Sequence, residues 1–144
     1  MRRITLISSI LLACALLAGA RDKSVLELAH EAQAAPIKEQ PKLYIEIART
    51  QLDLADKAYS AGNPESAKVA VDDVVEYSGK ATDASIQSGS KLKDTEIRIR
   101  KMSDKLRDIK RNLNLEDQPA AQSAMDKLEA MRSKLLAKMF EKKK

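Results

Sequence analysis

Residues 64–113 read PESAKVAVDDVVEYSGKATDASIQSGSKLKDTEIRIRKMSDKLRDIKRNL, and this stretch decides the fold. Apolar or small residues recur in it at steps that alternate between three and four. These positions are Val71, Val74, Ser78, Ala81, Ser85, Ser88, Leu92, Thr95, Ile99, Met102, Leu106, Ile109 and Leu113. We call them the heptad seam, because this spacing places every member on one face of an α-helix. The seam predicts long helices that are packed along most of their length.

The middle of the seam, from Ser78 to Ser90, holds only small residues, and Gly79 and Gly89 fall within it. A glycine inside a helix is about 1 kcal/mol less favourable than alanine. Either one helix continues over residues 64–113 with a neighbouring backbone close to its middle, or the helix bends near Gly89 and the chain folds back as a four-helix bundle. The unbroken seam favours the continuous helix, with a length on the order of 75 Å.

Further amphipathic helices are predicted on both sides of this stretch. Upstream, an apolar stripe comprises Leu43, Tyr44, Ile47, Ala48, Leu54, Ala55, Ala58, Tyr59 and Ala61. Gly62, Asn63 and Pro64 then have the properties of a tight turn between two helices, since glycine accepts left-handed dihedrals, asparagine caps a helix and proline suits a first turn. Residues 112–119 predict a second turn, with Asp117 as the cap of a last helix. Its stripe comprises Ala121, Ala124, Met125, Leu128, Met131, Leu135 and Met139.

These patterns predict an all-α fold of antiparallel helical hairpins around one long central helix, either coiled-coil or bundle-like. The composition agrees with that class, because 44% of the residues are apolar but only 3% are aromatic. Outside the first twenty residues the apolar positions are scattered through charged sequence, which excludes a protein with several membrane spans. The chain has one cysteine, which excludes a disulfide-stapled or zinc-finger domain.

The N-terminus has the pattern of a secretory signal peptide at residues 1–20. Two arginines precede an apolar run, and the small residues at 18–20 suit a cut after Ala20. The mature protein then begins at Arg21, lacks cysteine and is exported, with the periplasm as the predicted compartment. Three alternatives remain open: lipidation at Cys14, which follows a lipobox-like Leu-Leu-Ala; an uncleaved anchor over residues 4–20; and cleavage after Ala34.

The exported part divides into two predicted units. In residues 21–41, Ser24 and Glu27 fit a capping box that starts a short helix, and Pro36 and Pro41 make the following segment a linker. Residues 42–144 form the helical hairpin or bundle domain.

The sequence favours no enzyme, cofactor or metal. The single histidine, His30, has no partners with ligand spacing, and the acidic group of Asp72, Asp73 and Glu76 is predicted to form a solvated face, with Glu76 pairing to Lys80. Tyrosines and methionines beside the apolar stripes are predicted to pack in the core and not to line a binding groove. Catalytic, cofactor-binding and metal-binding residues are therefore all predicted to be absent.

Charge is distributed unevenly along the chain, whose net charge is +5. Residues 42–90 carry a net charge of −3, whereas residues 91–111 and 132–144 each carry +5. The two basic segments are expected to lie side by side if the last helix folds back, and to offer an interaction surface. Its predicted residues are Lys91, Lys93, Arg98, Arg100, Lys101, Arg107, Lys110, Arg111, Arg132, Lys134 and Lys138. The alternative is a solvated face whose charges form the ion pairs Asp94–Arg98 and Glu96–Arg100 within the helix.

Residues 55–70, ADKAYSAGNPESAKVA, resemble the turn of a single tetratricopeptide repeat. Tyr59 stands where that family has an aromatic residue, Gly62 and Asn63 form the turn, and Ala67 begins the packing face of the second helix. The resemblance covers about one repeat and implies a protein-interaction module. The whole chain also resembles small exported helical proteins of bacteria.

The predicted function is that of a non-enzymatic exported interaction or structural module. The predicted partner is a protein or a second copy of the chain, because the first and last helices leave part of a long central helix uncovered. The alternative is an envelope-surface or holdase-like factor that uses the basic C-terminal helices against an anionic surface. Nucleic acid is not expected, since no aromatic platform accompanies the basic residues.

Overall fold

The structure, a computed structural model, describes residues 23–141. The predicted signal peptide and Cys14 lie outside these residues. The described chain forms five α-helices and contains no strand, so the predicted all-α class is confirmed. The helices are α1 (Val25–Ala34), α2 (Gln40–Ser60), α3 (Pro64–Ser88), α4 (Leu92–Arg111) and α5 (Gln118–Met139).

The short helix α1 begins with the predicted capping box. The Ser24 hydroxyl accepts from the Glu27 backbone N–H at 3.2 Å, and the Glu27 carboxylate accepts from the Ser24 backbone N–H at 3.3 Å. α1 packs against α2 and buries Ala32 completely. The Gln40 side chain donates to the Ala35 carbonyl at 2.9 Å, which joins the two helices across the intervening turn. Residues 25–34 are therefore attached to the helical bundle.

The turn between α2 and α3 follows the predicted chemistry. Gly62 has φ +74°, and the Asn63 side chain accepts from the Ser66 backbone N–H at 3.3 Å. The predicted stripe on α2 is partly wrong, because Leu43 and Leu54 are exposed whereas Ile45 and Leu52 are buried. α2 packs on both α3 and α4, and the buried face is therefore wider than a single stripe and lies to one side of the predicted one.

The predicted continuity of the central helix is wrong. α3 ends at Ser88, α4 begins at Leu92, and the intervening turn contains two left-handed residues, Gly89 with φ +64° and Lys91 with φ +57°. The chain reverses there and folds back, which is the four-helix alternative. The spacing of the side chains could not reveal this reversal. The turn, residues 89–91, falls between the seam members Ser88 and Leu92, whose four-residue step is the same as a step within a helix.

The heptad seam is nevertheless the buried line of both helices. Ten of its members are buried, and Ser88, Leu92 and Leu113 are half-buried. A Cβ atom added to Gly79 would lie 3.5 Å from the terminal methyl of Met131, and the Ser85 and Thr95 hydroxyls share a 2.8 Å hydrogen bond beside the turn.

The four long helices form two antiparallel hairpins, α2–α3 and α4–α5, that pack on each other. The hairpins meet where α2 lies along α4 and α3 lies along α5, whereas α3 and α4 touch little and α2 and α5 have no backbone contact. α2 and α4 run parallel. Glu46 pairs with Arg98, and about two turns farther along both helices Asp53 pairs with Lys105. The core lies between the hairpins and includes Leu52, Leu106 and Leu128.

The last helix buries most of its predicted stripe. Ala121, Ala124, Met125, Leu128 and Leu135 are buried, while Met131 and Met139 are half-buried. Asp117 occupies the cap position of α5 but makes no capping hydrogen bond with its side chain. Instead, the Gln118 amide donates to the Leu113 carbonyl at 3.1 Å and closes the turn.

Candidate functional site

The basic residues of α4 that face α2 are engaged in ion pairs. Arg98 donates to Asp94 at 3.0 Å and to Glu46 at 3.3 Å, and Lys105 pairs with Asp53. The predicted pair Asp94–Arg98 is thereby confirmed. These side chains are only partly shielded from solvent, so each pair is worth about 1 kcal/mol or less. Their effect is to join α4 to α2.

The side of α4 that faces α5 carries a different network. Glu96 is buried and accepts from Arg132 at 2.7 Å, so the predicted pair Glu96–Arg100 is not formed. Arg132 also donates to Glu129 at 2.7 Å, and Ser103 donates to Glu129 at 3.2 Å. Burial lowers the pKa of Arg132, but its hydrogen bonds and the charges of Glu96 and Glu129 outweigh that effect and raise it above the usual value. Arg132 therefore serves the contact between α4 and α5.

Three basic residues on the outer side of α4 are exposed and have no ion pair within residues 23–141. Lys93, Arg100 and Lys101 lie seven and eight positions apart, which puts them on one side of the helix. We call these three residues the basic face. Lys91, in the turn before α4, is also exposed and has no ion pair in the described chain. Together with Lys91, the basic face is the part of the predicted surface on the α4 side that remains available to a partner.

The other predicted basic residues of α4 are occupied within the helix or by α5. Arg107 pairs with Asp104 at 2.7 Å and Arg111 pairs with Asp108 at 3.1 Å. Lys110 donates to the Gln122 side chain of α5 at 2.7 Å.

The basic residues of α5 do not join the basic face. α5 folds back along α4 as expected, but the contact between them holds Glu96, Glu129 and Arg132. Lys134 follows Arg132 by two residues and therefore lies on nearly the opposite side of the helix. Lys138 lies one turn beyond Lys134 and pairs with Glu141 at 2.7 Å. The two basic segments are thus neighbours in the fold without forming one surface.

An open groove of about 450 Å³ runs between α2 and α4 beside the basic face. Its apolar lining comes from Leu52, Ile97 and Met102. Its charged lining comprises Arg49, Asp53, Asp94, Arg98, Lys101 and Lys105. Lys101 belongs to both the groove and the basic face. Arg49 and Lys105 are not part of the predicted surface. Arg49 lies on α2, whose parallel pairing with α4 depends on the reversal that the seam concealed, whereas Lys105 lies within the basic segment 91–111.

The tyrosines do not line this groove. The rings of Tyr44 and Tyr77 are buried and stack with centroids 6.3 Å apart, and the Lys80 ammonium lies 5.0 Å from the Tyr77 ring. Burial, followed by the charge of Glu76, raises the pKa of Tyr77. Tyr59 is half-buried near the other end of the bundle, where burial and then Asp117 raise its pKa. The prediction that the tyrosine rings pack in the core is confirmed for Tyr44 and Tyr77.

The acidic group on α3 lies on the solvated side of the helix. Glu76 pairs with Lys80 at 3.0 Å, as predicted, and Asp72 pairs with Lys68 at 3.4 Å. Burial, and then the charges of Glu76 and Asp72, raise the pKa of Asp73. No group of three or more potential ligand side chains in residues 23–141 has the arrangement of a metal site. His30 is exposed on α1.

Comparison of the chain with protein-family models, curated proteins and solved structures finds no match. Among the described helices, none is both long enough and apolar enough to span a bilayer.

Proposed function

We propose that the protein is a non-enzymatic, exported interaction module that binds an acidic segment of a partner protein through the basic face of α4. The observation that carries this proposal is the contrast among the bases of that helix. Arg98 and Lys105 are satisfied by acids of α2, whereas Lys93, Arg100 and Lys101 are exposed without an ion pair in the described chain.

The surroundings of the basic face suit an acidic peptide with some apolar character. Ile97 lies between Lys93 and Lys101 on the same side of α4 and also lines the adjacent groove. A partner segment that covers Ile97 gains apolar burial, while its carboxylates meet cations that lose no existing ion pair. Such an arrangement of charges accelerates encounter and sets orientation more than it adds affinity.

The fold changes the argument for self-association through an uncovered central helix. That expectation rested on a seam too long for its neighbours, but the reversal at Gly89 lets α2 and α5 cover the seam within one chain. The case for a partner rests on charge instead. Nucleic acid remains the less favourable polyanion, because α4 contains no aromatic residue on which a base could stack.

A binding experiment with a defined probe tests the proposal. The chain from Arg21 onward, which contains every described residue, is titrated with a fluorescent polyglutamate peptide at low and high salt. We expect binding that weakens as salt rises and that falls at least about tenfold when Lys93, Arg100 and Lys101 are all replaced by glutamate.

The matched control reverses three other exposed lysines that have no ion pair in the described residues, namely Lys38, Lys42 and Lys57. It changes the net charge by the same amount at a different place. The proposal requires that this control binds the peptide clearly better than the basic-face variant. Equal losses in the two variants would show that only net charge matters and would reject a docking site on α4.

A second candidate function, association with an anionic envelope surface, is favoured by the C-terminal end of α5. Phe140, the only phenylalanine of the chain, is 80% exposed and follows Lys138 directly after Met139. In the sequence, Glu141 and then Lys142–Lys144 follow. An aromatic ring among lysines suits the boundary between lipid headgroups and acyl chains.

Co-sedimentation with phosphatidylglycerol vesicles separates the two functions. The envelope function predicts binding that is lost in a variant with Phe140→Ser and with Lys142–Lys144 neutralised, and that is unchanged when the basic face is reversed. Binding to phosphatidylcholine vesicles that equals the binding to phosphatidylglycerol would contradict its electrostatic basis.

A further inference from the structure

The two hairpins are joined by a turn of strained geometry and few contacts. Gly89 and Lys91 both adopt left-handed dihedrals, and Lys91 is the only residue of the described chain other than glycine to do so. Lys91 occupies the cap position of α4, and its side chain makes no capping hydrogen bond. L-amino acids resist this conformation, because it brings Cβ close to the following carbonyl. The turn therefore stores strain that a different conformation of residues 89–91 would release.

The heptad seam continues in register through this turn. Ser85, Ser88, Leu92 and Thr95 follow one another at the same three- and four-residue steps as the rest of the seam. If residues 89–91 took helical dihedrals, α3 and α4 would join as one helix with its buried line on a single side. Ordinary turn sequences are under no such constraint, since a loop does not have to preserve helical phase.

The contacts between the hairpins do not depend on the turn. The interface consists of α2 against α4 and α3 against α5, with Glu46–Arg98 and Gly79–Met131 as examples. All of these contacts can form equally well when the α4–α5 hairpin comes from another copy of the chain. Only the small contact of α3 with α4 beside the turn, including the Ser85–Thr95 hydrogen bond, has to be rearranged.

We propose that the protein forms an exchanged dimer in which the turn at residues 89–91 straightens and each chain places its α4–α5 hairpin on the α2–α3 hairpin of a second copy. The continuous helix over residues 64–111 then runs antiparallel to that of its partner, with a two-fold axis near Gly89. A short hinge under strain, a seam in phase on both sides and an interface that is recovered in full are the conditions that favour such an exchange.

Two substitutions at the hinge act in opposite directions. Gly89→Ala penalises the left-handed turn and favours the helix, so we expect it to tighten dimerisation by at least about tenfold. Lys91→Gly removes the strain from the closed turn and weakens a continuous helix, so we expect a smaller dimer fraction than in the unaltered protein. Both variants and the unaltered chain from Arg21 onward are refolded from denaturant at low and high concentration. Size-exclusion chromatography with light scattering measures the dimer fraction.

An intrachain distance distinguishes exchange from a simple surface contact. Spin labels are attached at Val69→Cys and Asp108→Cys, two exposed positions, and the labelled chain is diluted into unlabelled chain before refolding. In a continuous helix the two positions are separated on the order of 58 Å, whereas in the folded-back chain both lie near the same end of the bundle. The Gly89→Ala dimer is expected to show the long distance and the monomer the short one.

The proposal is overturned if all three proteins remain monomeric after refolding at high concentration. It is also overturned if a dimer forms but retains the short intrachain distance, because that dimer would be held by surface contacts. Should Gly89→Ala fail to fold, the unaltered protein and Lys91→Gly still decide the question, since exchange requires the former to dimerise more than the latter.

Discussion

The two hairpins share one periodicity but are held together by different chemistry. In α2–α3 the buried residues of α3 are mostly small, such as Ala81 and Ser85, and they face larger residues of α2 such as Ile45, with Tyr44 and Tyr77 stacked on each other. In α4–α5 a few large residues such as Leu106 and Leu128 are bordered by the charged network of Glu96. The comparison teaches that the spacing of the seam decides which face of a helix is buried. The size and polarity of the seam residues decide how strongly a substitution changes stability.

The largest expected effect is in the second hairpin. Leu106→Ala removes a fully buried side chain from the centre of the core and is expected to lower the free energy of unfolding by about 2–5 kcal/mol. Val74→Ala, at a buried position in α3, is expected to have a smaller effect, because it removes less volume. Urea denaturation followed by circular dichroism measures both. Leu115→Ala, at an exposed position, is the control and should change stability by less than about 0.5 kcal/mol.

The polar network supplies the next largest effect. Glu96→Gln removes the charge that pairs with Arg132 in a mostly buried place and is expected to lower the free energy of unfolding by about 1–3 kcal/mol. Asp94→Asn breaks an exposed pair with Arg98 in the same helix and should have an effect below about 1 kcal/mol. Equal effects of the two substitutions in urea denaturation would show that burial of Glu96 adds nothing to its pairing.

The first hairpin is expected to gain stability at Gly79. A Cβ atom there would make ordinary contact with the flexible end of Met131, and the helix would no longer contain an interior glycine. Gly79→Ala should therefore raise the free energy of unfolding by about 0.5–1 kcal/mol. Gly62→Ala is the matched control and should lower it by about 1 kcal/mol, because φ at Gly62 is +74°. Thermal unfolding measures both variants. If the midpoint shifts in the same direction in both, this interpretation of the packing is contradicted.

The smallest effect concerns pH and the acidic surface of α3. Burial, together with Glu76 and Asp72, raises the pKa of Asp73 above its usual value of 3.8, so ionisation of this carboxyl opposes folding. Its penalty is absent at pH 3 and appears as the pH rises through the pKa of the folded protein. Asp73→Asn is expected to stabilise the protein by about 0.2–0.5 kcal/mol at pH 7 and to lose that advantage at pH 3. An advantage of equal size at both pH values would count against a charge effect.

Much of the fold could be predicted from local sequence. The capping box at Ser24, the turn at Gly62 and the buried seam depend on neighbouring residues and are present as expected. The reversal at Gly89 could not be decided, because one glycine in a phased seam is compatible with both a helix and a turn. The buried face of α2 lies to one side of the predicted stripe for a related reason. α2 contacts α4 only when the chain folds back, and the stripe could not include that contact.

The candidate site could be predicted in its composition but not in its extent. Net charge alone indicates the bases of α4, except that Lys105 is missing from the predicted surface. Which of them are paired depends partly on acids brought from α2 and α5. Arg132 was expected at the surface, yet it spans two acids between helices. Arg49 was not expected at all, because the groove exists only where the two hairpins meet.

The small side chains buried along α3 have a thermodynamic consequence. Ala81, Ser85 and their neighbours expose little apolar area when the chain unfolds. The hydroxyl groups of the serine and threonine residues among them lower the heat capacity of unfolding further, because exposure of polar groups reduces it. A low heat capacity of unfolding flattens the dependence of stability on temperature. The protein should accordingly lose stability only slowly on either side of its optimum and resist cold better than a domain of equal length with an aromatic core.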